Sequence, residues 1–121
     1  MGVEELKGFQ LEAVHFGISF YNLVFNGEQH GNVTTLHVGT NYYISKSVDN
    51  LEDLGGNISV FLWGFLGKAI EDTNIVENEK FRAIEFIFSD KESFTVWQES
   101  DAIDNLLIVR NPHSKDWCVE L

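Results

Sequence analysis

The side chains that most often do chemistry are few in this sequence and poorly spaced for it. The histidines are His15, His30, His37 and His113, and none of them forms the paired helical spacing of a zinc protease. The single cysteine, Cys118, could act as a nucleophile with His113, but its apolar terminal strand favours a packed and inert thiol. One cysteine forms no internal disulfide, and a Cys/His cluster for zinc is missing.

Adjacent carboxylates are the other candidates for chemistry. The pairs Glu52-Asp53 and Glu71-Asp72 would work as acid and base only if a cleft desolvated them, and carboxylates in loops are usually solvated. The sequence also contains neither a phosphate-binding glycine loop nor the glycine–serine elbow of hydrolases. It therefore predicts no catalytic residues, no metal site and no cofactor, and it favours a protein that is not an enzyme.

Acidic residues dominate the charge of the chain. Nineteen Asp and Glu residues against eight Lys and Arg residues give a formal net charge of −11. Direct binding to nucleic acid needs clustered basic residues, so neither nucleic acid nor an anionic membrane is an expected partner. A basic protein is expected instead, because complementary fields speed encounter and select partners. The alternative is that the acidity serves solubility alone.

Two groups of acidic residues, one in the middle of the chain and one after residue 97, are not needed to space the predicted strands. Together with an aromatic anchor they form the predicted partner-binding surface: Asp49, Glu52, Asp53, Trp97, Glu99, Asp101 and Asp104. Trp97 is the predicted anchor because large aromatic side chains often carry the energy of an interface. The polar loop 27–32, which contains His30, is the second choice.

A strongly alternating segment at residues 81–97 must position this surface. Phe86 and Phe88 alternate with polar or smaller residues, and Phe94 and Val96 resume the pattern after a polar turn. This period of two is typical of half-buried strands. The pattern predicts a β-hairpin in which Phe88 lies opposite Phe94 and Phe86 opposite Val96, with residues 90–92 as the loop.

A short helix is predicted between the two halves of the chain, from about residue 58 to residue 65. Its apolar residues follow helical spacing: Ile58, Phe61, Leu62, Phe65 and Leu66. The glycines at positions 64 and 67 weaken the helix and are expected to end it. An extended strand is the alternative, because residues 58, 60 and 62 also alternate. In the first half, a strand at 10–16 is predicted with Leu11 on one face and Val14 and Phe16 on the other, and with Ala13 left open as a second member of the face of Leu11.

The two halves repeat the same succession of apolar and turn positions. Leu6-x-Gly8-x-x-Leu11 recurs as Leu66-Gly67-x-x-Ile70, Leu23-x-Phe25 recurs as Phe86-x-Phe88, and Leu36-x-Val38 recurs as Phe94-x-Val96. The predicted fold class is α+β: antiparallel and β-rich, with two β-meander repeats that share one core and one connecting α-helix. We expect one domain spanning 1–121, with repeat one at about 6–47, the linker and helix at about 48–66, and repeat two at about 67–121.

These motifs resemble a group of small bacterial two-repeat β-domains. The resemblance rests on the opening Leu-x-Gly-x-x-aliphatic step, on the aromatic-x-Phe-Ser-Asp-x-x-x-aromatic-x-Val stretch that ends at Val96, and on the closing strand at Trp117. Lys91 stands where the turn of that group usually has glycine, and the first hairpin loop is longer. Some of these domains are suspected immunity proteins of polymorphic or contact-dependent toxin systems, and they have no catalytic residues to carry over.

The resemblance and the charge together predict an immunity protein that occludes the active or substrate-binding surface of a basic toxin domain, a nuclease above all. We expect it to be a monomer or weak dimer. The cytoplasm is the expected compartment, because the first residues lack the apolar stretch of a signal peptide and no apolar run could span a bilayer. The alternative is a small ligand-binding or regulatory β-domain with an aromatic pocket between sheet and helix, lined by Phe61, Trp63 and Phe65.

Overall fold

Antiparallel strands make up most of the fold in the computed structural model, which describes residues 6–17, 20–27, 32–38, 42–49, 51, 58–101, 106–110 and 117–120. In chain order the elements are β1 Gln10–Gly17, β2 Phe20–Gly27, β3 Asn32–Val38, β4 Tyr43–Ser45, α1 Ile58–Trp63, β5 Ile70–Glu77, β6 Phe81–Phe88, β7 Ser93–Glu99, β8 Leu106–Arg110 and β9 Trp117–Glu120. A β-rich antiparallel fold with a short helix is therefore confirmed.

Two sheets form, and each takes strands from both halves of the chain. One sheet has the order β1-β2-β3-β8-β9 and the other has the order β4-β7-β6-β5. Three consecutive strands form a meander in each sheet, and the next strand along the chain crosses to the other sheet. Thus β4 pairs with β7, and β8 pairs with β3. Because the first half supplies β4 and the second half supplies β8 and β9 to the other half's sheet, neither sheet is complete without the other half.

The inner faces of the two sheets share one hydrophobic core. Phe25 in β2 stacks on Phe86 in β6 with 5.9 Å between ring centroids, so aromatic contact joins the sheets directly. Phe65 lies just beyond α1 and closes one end of the core. Its ring centroid is 5.0 Å from that of Phe88 and 5.1 Å from that of Phe94. The core residues are Leu6, Leu11, Leu23, Phe25, Leu36, Val38, Tyr42, Ile44, Leu62, Phe65, Ile70, Ile84, Phe86, Phe88, Phe94 and Val96.

The segments that lead into β1 and β5 are hydrogen-bonded to each other in a reciprocal pattern. Gly8 and Gly67 hold corresponding places, with φ angles of +86° and +85°, in the left-handed region that glycine adopts at little cost. An isolated antiparallel bridge joins Gln10 to Ala69 between them. Four backbone bonds link the segments: Gly8 N–H to Ile70 O at 2.8 Å, Gly67 N–H to Leu11 O at 2.8 Å, Leu11 N–H to Lys68 O at 3.0 Å, and Ile70 N–H to Phe9 O at 2.8 Å.

The turn before each glycine corrects the sequence alignment of the two halves. Phe9 N–H donates to Leu6 O at 3.0 Å, and Lys68 N–H donates to Phe65 O at 3.1 Å. Phe65 therefore occupies the place of Leu6, and both side chains are buried. Pairing Leu66 with Leu6 in the sequence alignment was wrong by one residue, because Leu66 is the more exposed of two adjacent apolar residues.

The first strand of each half, β1 or β5, contains a bulge directly after the hydrogen-bonded segment that leads into it. The register shifts between Leu11 and Ala13 in β1, and between Ile70 and Asp72 in β5. A bulge places two residues opposite one and so inverts the alternation that follows it. As a result Val14, not Ala13, shares the core face with Leu11, and the predicted division of β1 into two faces was wrong after Leu11.

The central hairpin has the predicted apolar face in a different register. Phe94 pairs with Phe86, and Val96 pairs with Ile84. Each partner is two residues from the predicted one, so the same side chains still share the apolar face. The loop is Ser89 to Lys91, because Phe88 N–H bonds to Glu92 O at 2.8 Å and Lys91 adopts a φ of +73°. A type I turn followed by a left-handed residue is a common three-residue hairpin loop.

The helix is shorter than predicted but buries the expected side. It ends at Trp63, and hydrogen-bonded turns continue through residues 64–67. Leu62 and Phe65 are buried, while Ile58 and Leu66 are partly buried against the core. The strand alternative for residues 58–63 is therefore wrong.

The burial of Phe88 predicts a large stability loss on its truncation. Phe88→Ala should lower the free energy of unfolding by about 3–5 kcal/mol, because it removes ring contacts and leaves a cavity. Phe81→Ala, in the same strand but partly exposed, is the matched control and should cost clearly less. Urea unfolding of both variants measures the difference, and equal losses would contradict the assigned core.

The left-handed conformation of Lys91 predicts a stabilising substitution. Lys91→Gly should raise the free energy of unfolding by about 0.5–1 kcal/mol, because a side chain is disfavoured at this φ. Lys91→Ala is the control, since it also removes the exposed ion pair with Glu71 but keeps the strained Cβ. Chemical denaturation should show no gain for the alanine variant, and a gain shared by both variants would refute the explanation.

Candidate partner-binding surface

The predicted site residues that the structure describes lie in two places. Trp97 and Glu99 lie in β7, and Asp101 lies in the turn that follows it. Asp49 lies four residues beyond β4 and is exposed. The remaining predicted site residues, Glu52, Asp53 and Asp104, lie outside the described part of the chain.

Trp97 lies on the outer face of the four-stranded sheet, whereas its chain neighbour Val96 lies on the inner face in the core. It pairs with Tyr43 on one side and Ala83 on the other, and Ala83 pairs with Val76. The rings of Trp97 and Tyr43 lie 4.9 Å apart, and Trp97 Nε1 donates to Ser45 Oγ at 2.7 Å. The indole is thus partly buried with its polar atom already bonded, so that only part of the ring remains for a partner.

Glu99 and Asp101 are exposed at one end of this sheet, and other acids join them there. Glu99 pairs with Phe81, and Ser100 N–H donates to Lys80 O at 3.1 Å, so the end of β7 lies beside the β5–β6 turn. This turn brings two further exposed carboxylates to the same end. We call the four residues the acidic end: Glu77, Glu79, Glu99 and Asp101.

Sequence reasoning missed Glu77 and Glu79 because they belong to a different hairpin. Only the pairing of β6 with both β5 and β7 brings that turn next to Asp101. The signal that would have found them is the short polar run at 77–80, which is typical of a hairpin turn. Pairing that turn with the end of the following strand would have grouped the four carboxylates.

The basic residues at the acidic end do not neutralise it. Arg82 pairs with Glu77 across the strands, but its guanidinium donates to the Ser100 carbonyl and, at 3.5 Å, to the Gln98 side chain. Among the residues that the structure describes, the ion pairs are Lys7–Asp72 at 3.2 Å, Lys68–Asp90 at 2.6 Å and Lys91–Glu71 at 2.6 Å. None of these involves the acidic end, where the four carboxylates outnumber the two cations, Lys80 and Arg82, and leave an excess of negative charge.

Two of the carboxylates in ion pairs, Asp72 and Asp90, have lowered pKa values. The Thr73 backbone N–H, at 2.9 Å, and then Lys7 hold the pKa of Asp72 below its usual value. The hydrogen bond from Lys68 likewise lowers the pKa of Asp90. Both charges are already engaged by neighbours within the fold, which makes Asp72 and Asp90 poorer candidates for binding a partner.

Asp49 does not join the acidic end. Because β4 runs antiparallel to β7, with Ser45 opposite Thr95, the chain after Ser45 heads toward the start of β7. Asp49 therefore follows the end of β4 that lies beside the start of β7, whereas Asp101 follows the end of β7. The described residues of the predicted surface therefore lie in two separate places.

Among the residues whose burial the structure describes, the most exposed aromatic residue is one that sequence reasoning assigned to a pocket. Trp63 is 73% exposed, as is Val60 one turn earlier in α1. Phe65, in contrast, packs on Phe88 and Phe94 and fills the space between helix and sheet. Trp63 therefore does not line a pocket with Phe65, and the helical spacing that places Phe61 and Phe65 on the apolar side already leaves residue 63 off that side.

Other kinds of site find little support in the described ranges. They contain no group of three His, Cys, Asp or Glu residues placed to hold a metal, and no helix in them is long and apolar enough to cross a membrane. His37, on the outer face of β3, donates from Nδ1 to Asn22 Oδ1 at 2.8 Å, as expected for a surface strand residue. Comparisons with protein-family models, curated proteins and solved structures find no match.

Proposed function

We propose that this protein is a bacterial immunity protein, and not an enzyme, which binds and neutralises a basic toxin domain. The acidic end of the four-stranded sheet carries the proposal, because four exposed carboxylates without ion pairs collect there beside the partly exposed ring of Trp97. A nuclease is the proposed class of toxin, since a surface that binds nucleic acid is rich in lysine and arginine.

The proposed mechanism is occlusion. The carboxylates of Glu77, Glu79, Glu99 and Asp101 occupy the positions where the toxin would bind phosphates, and so prevent substrate from entering. Charged groups at the rim of an interface act mainly on the association rate, through long-range attraction. Asp49, Glu52, Asp53 and Asp104 add to the same field. The protein needs no catalytic residue, metal or cofactor for this function.

The proposed compartment and assembly state follow from the same composition. A single cysteine suits the reducing cytoplasm, where disulfides are rare. A net charge of −11 opposes close contact between two copies, so we propose a monomer or weak dimer. The ligand-binding alternative gains no support, because Phe65 fills the space in which its pocket was predicted.

We also propose that the two halves are copies of one β-meander unit, beginning at Leu6 and Phe65. The reciprocal hydrogen bonds, the matching left-handed glycines, the bulges after Leu11 and Ile70 and the reciprocal exchange of β4 and β8 support this proposal. Leu23, Phe25, Leu36 and Val38 correspond in pairing to Phe86, Phe88, Phe94 and Val96.

Equivalent glycines should respond equally to substitution. Gly8→Ala and Gly67→Ala should each lower the free energy of unfolding by about 1–2 kcal/mol, because a Cβ is disfavoured at their φ although no atom lies within 4 Å of it. Gly64→Ala is the control, since its φ is not left-handed, and it should be neutral or stabilising. Thermal or urea unfolding gives the three values, and a loss in only one of Gly8 and Gly67 would speak against structural equivalence.

Charge reversal at the acidic end tests the proposed function. The double variant Glu99→Lys with Asp101→Lys should weaken binding to the basic toxin domain encoded beside this protein's gene by at least about tenfold, or 1.4 kcal/mol. The loss should lie mainly in the association rate and should shrink as salt is raised. Calorimetry gives the affinity and stopped-flow mixing gives the rate, while stability should change by less than about 0.5 kcal/mol per site.

Two single substitutions, compared with each other, separate local recognition from the effect of overall charge. Glu99→Lys and Glu12→Lys change the net charge equally, but Glu12 is exposed on β1 in the other sheet. Only Glu99→Lys should weaken binding strongly. Equal effects would mean that the acidic end has no special role. A wild-type protein that does not bind the neighbouring gene product, or a gene without a neighbouring toxin, would contradict the proposed function.

A further inference from the structure

The outward side of α1 is apolar and exposed. Val60 and Trp63 lie three residues apart and so share one side of the helix, and each is 73% exposed. The helix has no acidic residue in its first turn and no basic residue in its last turn. Leu62, on the opposite side, is fully buried, so the core contacts of α1 do not need an apolar residue at position 60 or 63.

The size of the exposed ring makes this pair suitable as an interface anchor. An exposure of 73% leaves roughly 150–200 Å² of Trp63 in contact with water. Tryptophan is among the residues most enriched where truncation weakens binding strongly. Trp97 is less suitable, because its ring is partly buried and its Nε1 already donates to Ser45.

The charges beside the helix limit what can bind there. Contacts of Phe65 with Phe88 and Phe94 place the end of α1 next to the β6–β7 turn. Lys68 Nζ lies 4.7 Å from the centroid of the Phe65 ring and 2.6 Å from Asp90 Oδ2.

The second cation of this turn is also engaged, since Lys91 Nζ lies 2.6 Å from Glu71 Oε2. Glu92, in the same turn, is exposed and takes part in no ion pair within the described residues. Beside Val60 and Trp63, therefore, Lys68 and Lys91 are each paired with a carboxylate, and the carboxylate of Glu92 remains unpaired.

We propose that Val60 and Trp63 are the anchor of the surface that binds the basic partner, and that an arginine of the partner packs on the indole ring. This inference rests on the proposed function and deepens it. A guanidinium stacks on an aromatic face, and its alkyl stem covers apolar surface, which suits Trp63 with Val60 beside it. Glu92, beside the β6–β7 turn that the end of α1 approaches, is an unpaired carboxylate for a second basic group.

The same charge argument excludes other occupants of this surface. A second copy of the chain would bring together two molecules that each carry a net charge of −11, and nucleic acid or an anionic membrane would add further negative charge. A cationic protein is the occupant that the electrostatics favour. The two ends of the sheet then have different roles: the acidic end speeds association, and Trp63 slows dissociation.

Kinetic measurements on the full chain test this division. Trp63→Ala should raise the dissociation rate from the same toxin domain by at least about 30-fold, the loss typical of removing an interface anchor, with little change in the association rate. The unfolding midpoint should not fall, because the ring is exposed. Ile75→Thr, which alters an apolar residue that is 49% exposed on β5, is the matched control and should bind like wild type.

The outcomes separate the anchor from the function. If the wild type binds and Trp63→Ala dissociates at the wild-type rate, the anchor is overturned while the proposed function stands. If the wild type does not bind, the proposed function falls and the inference falls with it. If sedimentation shows wild-type self-association that Trp63→Ala abolishes, the surface binds a second copy and the basic partner is wrong. Loss of binding in Ile75→Thr as well would overturn the assignment of the anchor to α1.

Discussion

The reciprocal backbone hydrogen bonds between the segments that begin β1 and β5 are the constraint on which the rest of the structure depends. Gly8 and Gly67 adopt left-handed conformations there, and the bonds to Ile70 and Leu11 fix the two sheets against each other. A bulge follows at once in both strands, and it turns the next apolar residues of β1 onto the core face. Phe25 and Phe86 can then stack across the core, because both sheets leave the junction with matching geometry.

The exchange of strands between the two sheets determines which residues become neighbours on the outer surface. Since β4 crosses into the sheet of the second half, Tyr43 lies beside Trp97, and Ser45 accepts its indole N–H. The same pairing sends Asp49 to one end of the sheet, while β7 sends Glu99 to the other. The exchange therefore decides which acidic residues are close in space. It also divides the candidate surface between an acidic end, suited to long-range attraction, and a helix whose exposed ring is suited to short-range contact.

The three ion pairs determine which parts of the surface keep unpaired charge. Lys68 and Lys91 are each held by a carboxylate beside the β6–β7 turn, and Lys7 is held by Asp72. These three cations lie in ion pairs with other carboxylates, and among the described residues the four carboxylates of the acidic end face only Lys80 and Arg82, neither of which forms an ion pair with them. A protein with this arrangement attracts a cationic surface from a distance, and it can bind that surface tightly only where apolar groups are also exposed.

The sequence by itself determined most of the strands, the inward face of the central hairpin and the presence of a helix, because alternation and helical spacing are local properties of the chain. Phe86, Phe88, Phe94 and Val96 were correctly assigned to the core for this reason. Only the tertiary structure decided the register of the hairpin, since a shift of two residues keeps every side chain on its face and the conformation of Lys91 settles the choice. It also decided the bulge after Leu11, the exchange of β4 and β8, and the exposure of Trp63, because each depends on contacts between residues far apart in the chain.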